Sequence, residues 1–432
     1  MRPGGRVQAA IEVLDEVIER HRPANVVLAD WGRNHRFAGS GDRAAIGNLV
    51  FDALRKRASS AARLNDDGGR ALALGALVAS WGLSGDDVAA ICDGSQHAPA
   101  PLSDGERHCL ASPLGDDAPA HIRADVPEWL WPLFTEKFDE EAVGEGQAFA
   151  MRAPVDLRVN TLKADVDKVA KALARQGAKP CTISPVGLRI APPKGPGRTP
   201  NVQVEAGFQR GWFEVQDEGS QVAAQLAFTQ PGEQVLDFCA GAGGKTLALA
   251  ASMQNKGQIF AYDEDKQRLA PIYERLKRAG VRNVQVRAPG EDVLSDLVGR
   301  MHRVVVDAPC TGSGVWRRRP DAKWRLSPEA FEARIGEQRD ILAQARDYVR
   351  PGGYLCYITC SVLRPENEGQ VYGFLEDNPD FELVTAEEAW RELFGLDKPA
   401  PWSDDAMTLT MTPASTGTDG FFFAVMERRG AV

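Results

Sequence analysis

The stretch V-L-D-F-C-A-G-A-G-G-K-T, residues 235–246, decides the fold of this 432-residue chain. Its first residues, 235–238, predict a strand, and a helix is expected to follow Lys245. Glycines between the two let the backbone approach a ligand closely, and the start of a helix presents free N–H groups. The stretch therefore predicts a strand, a ligand-binding loop and a helix, in that order.

Three classes of ligand could use this loop. A phosphate-binding loop requires G-x4-G-K-S/T, and residues 244–246 fit its end, but Cys239 stands at the first glycine. A dinucleotide-binding loop requires G-x-G-x-x-G, and Thr246 stands at its third glycine. The third class is S-adenosylmethionine, which needs an open glycine loop and acidic residues at the following strand ends.

Acidic residues do follow the next two predicted strands. Asp263 ends the second strand, where a carboxylate can accept hydrogen bonds from both hydroxyls of a ribose. It could instead cap the helix that starts near Lys266. Beyond the third strand, either Glu291 or Asp292 could reach the amine of an adenine.

Strands and helices alternate from about residue 211 to the end of the chain, which predicts a doubly wound, mostly parallel α/β sheet. Helices are predicted over 266–280 and 328–349. Further strands are predicted over 259–262, 284–287, 304–306, 354–359, 407–411 and 421–427.

Two cysteines follow strand-like apolar runs. Cys310 lies in D-A-P-C-T-G-S-G, residues 307–314, and Cys360 lies in T-C-S, residues 359–361. Ligand crevices of open α/β sheets lie outside the carboxyl ends of the strands, so both thiols are expected at one pocket. A thiolate is a suitable nucleophile for an electron-poor ring carbon. Taken singly, each cysteine could instead be a buried core residue.

The formal net charge of -9 argues against a generally basic nucleic-acid coat, although a local basic surface is compatible with it. One dense cationic cluster follows the Cys310 loop, and two tryptophans bracket it. A run of charges is often a solvated face, but base stacking combined with phosphate contact needs such a mixture. The cluster comprises Arg317, Arg318, Arg319, Lys323 and Arg325, and the tryptophans are Trp316 and Trp324.

The remaining sequence predicts two smaller domains and an intracellular setting. Residues 1–125 read as helical, residues 126–210 as a small α/β piece, and residues 211–432 as the main α/β domain.

Seven cysteines without a framework pattern, no signal peptide and no membrane-length apolar run predict a cytoplasmic protein. A loose group of cysteines and histidines lacks the tight pairs of zinc sites, so no metal is expected. The group comprises Cys92, His97, His108, Cys109 and His121.

From about residue 150 to 430, the motifs in their order resemble the RsmB/NOP2/Sun-type RNA (cytosine-5) methyltransferases. Residues 239–245 are similar to the family loop C-A-x-P-G-G-K, with Ala242 in place of the usual proline. The first 125 residues resemble the NusB-like helical domain of the bacterial ribosomal-RNA members. The other matching motifs are R-V-N-T-L at 158–162, Q-D-E-G-S-Q at 216–221, D-A-P-C at 307–310, P-D-A-K-W at 320–324, T-C-S at 359–361 and D-G-F-F at 419–422.

The resemblance implies a fold and a reaction. The fold is a Rossmann-like class I methyltransferase domain preceded by a small α/β RNA-binding subdomain and a NusB-like domain. The reaction is methyl transfer from S-adenosylmethionine to C5 of a cytosine in RNA, with 16S ribosomal RNA as the expected substrate. Transfer RNA is the alternative substrate, and a P-loop-like NTPase or a non-catalytic ribosome-assembly binder are alternatives of other classes. A monomer without membrane or metal partners is expected.

The resemblance also implies roles for individual residues. Cys360 is the attacking thiolate and Cys310 assists release of the enzyme, while Asp307 and Lys245 contact the base, the thiolate or the cofactor. The expected RNA-binding residues are Arg317, Arg318, Arg319, Lys323, Arg158 and Asn160. The expected cofactor-binding residues are Cys239, Ala240, Gly241, Ala242, Gly243, Gly244, Lys245, Asp263, Glu291, Asp292 and Asp307.

Overall fold

A computed structural model describes residues 1–430 as a mixture of helices and strands. The α-helices of these residues are α1 Pro3–Arg20, α2 Ala24–Asn34, α3 Ser40–Arg55, α4 Arg57–Leu64, α5 Gly69–Ala79, α6 Gly85–Ile91, α7 Asp104–Ala111, α8 Ala120–Arg123, α9 Trp131–Phe138, α10 Ala142–Phe149, α11 Val166–Ala172, α12 Ala206–Gln209, α13 Glu218–Leu226, α14 Gly244–Ser252, α15 Lys266–Leu269, α16 Ile272–Ala279, α17 Pro320–Arg325, α18 Pro328–Ala345, α19 Glu368–Asp377 and α20 Ala386–Phe394.

The strands lie in two sheets. They are β1 Val155–Val159, β2 Lys179–Pro180, β3 Gly187–Ile190, β4 Phe213–Val215, β5 Gln234–Asp237, β6 Gln258–Tyr262, β7 Val284–Arg287, β8 Met301–Asp307, β9 Val349–Thr359, β10 Phe381–Val384, β11 Thr408–Met411 and β12 Phe421–Arg428.

The chain forms two compact units, each built from separate segments. The helical unit comprises Met1–Ala153, Pro192–Pro200 and Val315–Leu326. The sheet unit comprises Pro154–Ala191, Asn201–Gly314 and Ser327–Val432. The segments of the two units alternate along the chain. The predicted domain boundaries 1–125, 126–210 and 211–432 stay a prediction.

The helical unit is held together by apolar faces that recur at helical spacing. Leu14 of α1, Leu49 of α3 and Leu74 of α5 are each at most 1% exposed and belong to one core cluster. The segment 315–326 packs into the same unit: Trp324 Nε1 donates to the Leu54 carbonyl over 2.7 Å. The predicted helical N-terminal region is confirmed.

The main sheet of the sheet unit has the strand order β10-β12-β9-β8-β5-β6-β7, and β11 pairs with β12. Strands β5 to β9 are parallel along this path, while β10, β11 and β12 pair antiparallel. The parallel strands therefore end at a common edge, where β8 and β9 are neighbours with Asp307 opposite Ile358. The predicted doubly wound α/β class is confirmed.

A second, antiparallel sheet in the same unit has the order β2-β3-β1-β4. It buries Leu157, Leu188 and Phe213 in its own core cluster, against helices that include α11. This piece corresponds to the small α/β part predicted before the main domain. Between residues 1 and 430, no helix is both long and apolar enough to cross a membrane.

Proline and edge position explain where the predicted elements differ from the structure. The helix predicted over 266–280 is two helices, because Pro271, the residue before α16, cannot donate a helical hydrogen bond. Strand β10 was not predicted. It is a four-residue edge strand in which only Phe381 is fully buried, so its hydrophobic pattern is weak.

Candidate active site

The glycine loop after β5 lines a cavity of about 340 Å³ in the sheet unit. Gly243 has φ 82° and a Cβ there would lie 2.5 Å from Ile272, so only glycine fits this position. A Cβ on Gly244, the first residue of α14, would meet nothing within 4 Å. The backbone at the start of α14 is therefore open toward a ligand. The wall includes the predicted residues Cys239, Ala240, Gly241, Ala242, Gly244, Lys245, Asp263 and Asp307.

Asp263 lies at the end of β6 and holds the glycine loop in place. Its side chain is buried, and it accepts hydrogen bonds from the Gly241 N–H and the Asp265 N–H, each over 2.9 Å. Arg268 adds an ion pair at 3.1 Å. A carboxylate offers about four lone-pair sites, so Asp263 retains acceptor capacity toward the cavity that it lines.

The two acids proposed for the adenine contact lie elsewhere. Glu291 and Asp292 are exposed in the turns that follow β7, and neither lines the cavity. Two arginines that the sequence analysis did not single out, Arg268 and Arg275, do line it. Arg275 also donates to the Ala242 carbonyl over 2.9 Å. Neither arginine could be recognised from the sequence, because surface helices such as α15 and α16 carry many cations.

A lysine–carboxylate pair closes one side of the cavity. Lys245 Nζ lies 2.6 Å from Asp307, and the lysine is 6% exposed in its side chain, while Asp307 is 32% exposed. Nearby Asp237 is fully buried and accepts from Thr246 Oγ1 over 2.6 Å. Burial raises the pKa of Asp237 to about 7, and the charge of Asp307 adds to the shift. An ion pair and a buried acid of raised pKa therefore lie in the same site.

The two predicted thiols lie in contact. Cys310 Sγ and Cys360 Sγ are 3.2 Å apart, and both cysteines are free and partly exposed. Their proximity follows from topology, because β8 ends three residues before Cys310 and β9 ends directly before Cys360. The hydrogen bond with Cys360 raises the pKa of the Cys310 thiol well above its usual value, and burial and the charge of Glu366 act in the same direction.

Glu366 links the two cysteine loops, although its sequence context does not mark it as a site residue. Its fully buried carboxylate accepts from the N–H and Oγ1 of Thr311, over 2.7 and 2.6 Å, and from Ser361 Oγ. Gln338 of α18 donates to it over 3.0 Å. In the sequence, an acid after a proline six residues beyond Cys360 resembles an ordinary surface turn.

Most of the expected RNA-binding side chains are buried, which corrects the sequence-based assignment. Lys323 is 1% exposed and donates to the Arg55 and Asp125 carbonyls over 3.2 and 2.6 Å. Arg158 donates to Gln216 over 2.6 Å, and Asn160 donates to the Gly211 and Ala279 carbonyls. Arg317 is 5% exposed. These four side chains have no free surface for a phosphate, whereas Arg318 is partly exposed and Arg319 is exposed.

Comparison with known proteins agrees with this geometry. Residues 224–427 match the family described as 16S rRNA methyltransferase RsmB/F, and residues 126–195 match its ferredoxin-like domain. A ribosomal RNA small subunit methyltransferase B from Sodalis glossinidius is 34% identical over 317 residues, which are 72% of this chain and 68% of that protein. This chain belongs to the RsmB/F methyltransferase family.

Other relatives support the membership of the RsmB/F family. A probable ribosomal RNA small subunit methyltransferase B from Synechocystis is 32% identical over 70% of this chain, and the match spans 66% of that relative's length. The crystal structure of PH0851 superposes with a TM-score of 0.72 at 25% identity and covers 99% of both chains. The predicted family is thereby confirmed, and a P-loop NTPase is not supported.

The residues of the cavity fit S-adenosylmethionine, the cofactor of this family. The open backbone at Gly244, the acid Asp263 and the pair of Lys245 with Asp307 supply donors and acceptors for its polar groups. The predicted cofactor is thus confirmed at the level of the family. No cluster of three or more His, Cys, Asp or Glu side chains that could hold a metal ion occurs in the described part of the chain.

Proposed function

We propose that this chain transfers a methyl group from S-adenosylmethionine to C5 of a cytosine in 16S ribosomal RNA. The observation that carries the proposal is the contact of two free thiols, 3.2 Å apart, at the ends of neighbouring parallel strands. The relatives named as small-subunit ribosomal RNA methyltransferases support the substrate. The cytoplasmic location expected from the sequence stays a prediction.

A thiol can overcome the low nucleophilicity of C5 of cytosine. C5 of cytosine is a poor nucleophile, and addition of a thiolate to C6 makes C5 electron-rich. S-adenosylmethionine, when bound, supplies an electrophilic methyl group. Loss of the C5 proton then lets the thiolate leave C6, which restores the aromatic ring and frees the enzyme.

The surroundings of the two cysteines support different roles for them. The raised pKa of Cys310 keeps it as a thiol that can hydrogen-bond to the neighbouring sulfur. We assign the attack on C6 to Cys360, which directly follows β9. This division agrees with the roles that the family resemblance implies for the two cysteines.

The remaining residues of the site bind and orient. Asp263 and the backbone at the start of α14 would hold the cofactor, while Lys245 supplies a positive charge beside Asp307. Asp307 is partly exposed, so one face of its carboxylate can accept a hydrogen bond from the base. The target cytosine must leave its stack to let a thiol approach C6 from above the ring.

We assign RNA contact by the sheet unit to three exposed cations around Trp212, namely Lys163, Lys168 and Arg210. They are here called the Trp212 patch. Lys168 Nζ lies 4.1 Å from the centroid of the Trp212 ring, and the Arg210 guanidinium lies 5.4 Å from it. Lys163 donates to the Arg210 carbonyl over 3.2 Å. In the described residues no carboxylate forms an ion pair with these three cations, so their charges are available to phosphates.

Bisulfite sequencing of total RNA tests the function and its alternatives. We expect a deletion strain to lose 5-methylcytosine at one position of 16S ribosomal RNA, and the gene for the native chain to restore it. The variant Cys360→Ala should not restore it, which separates catalysis from a non-catalytic assembly role. Loss of the modification from a transfer RNA instead would favour the transfer RNA alternative, and unchanged RNA would contradict the proposal.

A further inference from the structure

Glu366 is a buried acid of the sheet unit that lies next to both cysteine loops. It follows Cys360 by six residues, in a short helical turn over Arg364–Glu366, and its side chain is fully buried. No cation pairs with its carboxylate in the described part of the chain. A buried acid that is held only by neutral donors is costly and calls for a local reason.

The hydrogen bonds of Glu366 converge from the residues next to both thiols. Oε1 accepts from the Thr311 N–H over 2.7 Å and from Gln338 over 3.0 Å, while Oε2 accepts from Thr311 Oγ1 over 2.6 Å and from Ser361 Oγ. Thr311 directly follows Cys310, and Ser361 directly follows Cys360. One carboxylate thus fixes the loop of each cysteine.

Neighbouring bonds make this a rigid arrangement. Gln338 also donates to the Pro309 carbonyl over 2.9 Å, and Tyr357 Oη donates to the Glu366 carbonyl over 2.8 Å. Ser313 Oγ and Ser361 Oγ lie 2.9 Å apart across the two loops. The thiol-to-thiol distance of 3.2 Å is therefore set by a buried network rather than by the two cysteines alone.

The charge of Glu366 has a second consequence. All four contacts with the carboxylate are made by donor groups. A negative charge beside a thiol disfavours the thiolate. Glu366 is one of the groups that raise the pKa of Cys310, after the hydrogen bond and the charge of Cys360 and burial.

We propose that Glu366 is a positioning residue that holds Cys310 and Cys360 in contact and keeps Cys310 as the protonated, non-attacking thiol. This inference rests on the proposed function for its meaning in catalysis. The effect of the Glu366 charge on the reactivity of Cys310 can be measured without RNA or cofactor. The two variants E366Q and E366D separate charge from reach.

The first test measures alkylation of Cys310 by iodoacetamide against pH, with the modified peptide quantified by mass spectrometry. A Cys360→Ser background removes the second reactive thiol and keeps a hydrogen-bonding group. We expect E366Q to lower the midpoint pH of alkylation by about one unit, because the neighbouring negative charge is lost. E366D retains the charge and should leave the midpoint within about 0.3 unit. Equal midpoints in all three proteins would overturn the proposed control of Cys310.

The second test measures methyl transfer in the chain with both cysteines. E366D is too short to reach both loops, so we expect kcat to fall at least tenfold while KM for RNA and the affinity for S-adenosylmethionine stay within twofold. This variant also keeps the proposal testable if E366Q does not fold, as judged by thermal unfolding. A wild-type kcat in E366D would overturn the positioning role. Failure of methyl transfer in the native chain would count against the proposed function, whereas the alkylation result would still decide the role of Glu366.

Discussion

Cys310 and Cys360 are the same residue type, and their neighbours make them chemically different. Cys310 lies near the Glu366 carboxylate and shares a hydrogen bond with Cys360, and its pKa is raised well above that of an ordinary thiol. Three residues before it, Asp307 ends β8 and pairs with Lys245. Single substitutions at this scale can therefore test which of the two thiols attacks.

Replacing each cysteine by alanine should stall the reaction at a different step. Cys360→Ala should abolish methyl transfer and trap no RNA, because no thiolate adds to C6. Cys310→Ala should still attack, so that Cys360 stays bonded to the base and a slow-migrating RNA adduct accumulates. Denaturing gels with cognate RNA or 5-fluorocytosine-containing RNA measure this.

Cys109→Ala, a substitution in the helical unit, serves as the control and should behave like the native chain. An adduct that forms in the Cys360 variant and is absent from the Cys310 variant would reverse the two roles.

The cofactor site offers a second prediction for single residues. Asp263→Ala should weaken binding of S-adenosylmethionine by about 1.5–3 kcal/mol, because it removes a charged acceptor and releases the Gly241 N–H that positions the loop. Asp292→Ala and Glu291→Ala are the matched controls, since both side chains are exposed and neither lines the cavity. Isothermal titration calorimetry gives the affinities. An unchanged affinity in Asp263→Ala, or a comparable loss in a control, would contradict this assignment.

At the scale of elements, the helix α17 is part of the structural core of the helical unit. Trp316, just before it, is 1% exposed and stacks against Phe134 with ring centroids 6.0 Å apart. Lys323 donates to the Arg55 carbonyl at the end of α3 and to the Asp125 carbonyl. One cation of the segment that reads as an RNA-binding stretch, Lys323, thus satisfies buried carbonyl groups.

Lys323→Met should therefore destabilise the helical unit. Two carbonyl oxygens lose their donor, which costs about 1–3 kcal/mol in the free energy of unfolding at pH 7. Arg319→Met removes the same charge from an exposed neighbour and should change stability by less than about 0.5 kcal/mol. Urea unfolding followed by circular dichroism compares the variants, and equal losses of stability would refute a structural role for Lys323.

The same lysine predicts a pH dependence. Burial lowers the pKa of Lys323 from 10.5 to about 7. The charge of Asp125 opposes this shift, and the charges of Lys56 and Arg55 add to it. Between these values the unfolded chain binds the proton and the folded chain does not, so stability rises with pH across this window. The native chain should gain roughly 2 kcal/mol over Lys323→Met between pH 7 and pH 9. A difference that stays constant between these pH values would contradict the lowered pKa of Lys323.

The sequence predicts the strands that form apolar runs, and it predicts which site residues lie at the carboxyl ends of these strands. The strands β5, β6, β8 and β9 and the contact of Cys310 with Cys360 follow from apolar runs and from the common edge of parallel strands. The helical segment 315–326 could not be assigned to the first unit, because its partners Leu54 and Asp125 lie far away in sequence. Charge alone could not tell a buried lysine from an exposed one. Glu366 could not be recognised from the sequence either, because the groups that donate to its carboxylate come from three separate segments of the chain.

At the scale of the whole molecule, a chain with a net charge of -9 must bind a polyanion through local surfaces. The Trp212 patch is such a surface in the sheet unit. Replacing Lys163, Lys168 and Arg210 by glutamine should lower the slope of log K against log salt concentration by about 2 to 3, if each cation neutralises one phosphate.

A matched variant distinguishes this surface from an effect of total charge. Lys256, Arg300 and Arg350 are exposed cations of the sheet unit outside the patch, and their replacement by glutamine changes the net charge equally. Filter binding of the cognate RNA over a series of salt concentrations should show a reduced slope for the patch variant only. The assignment of the patch fails if both triple variants have the same slope.

The interleaving of the chain limits how the protein can be divided. A fragment that begins at Pro154 keeps the complete sheet unit but also carries residues 192–200 and 315–326 of the helical unit. The apolar face of residues 315–326 would lack the helices on which it packs. Trp316 would lose its ring contacts with Phe134 and Phe149, and its indole would be exposed to water next to the sheet unit's residue Gly314 in the sequence. Such a fragment should aggregate through this exposed apolar surface. Recombination with other methyltransferase domains would therefore require exchanging this short insert together with the helical unit.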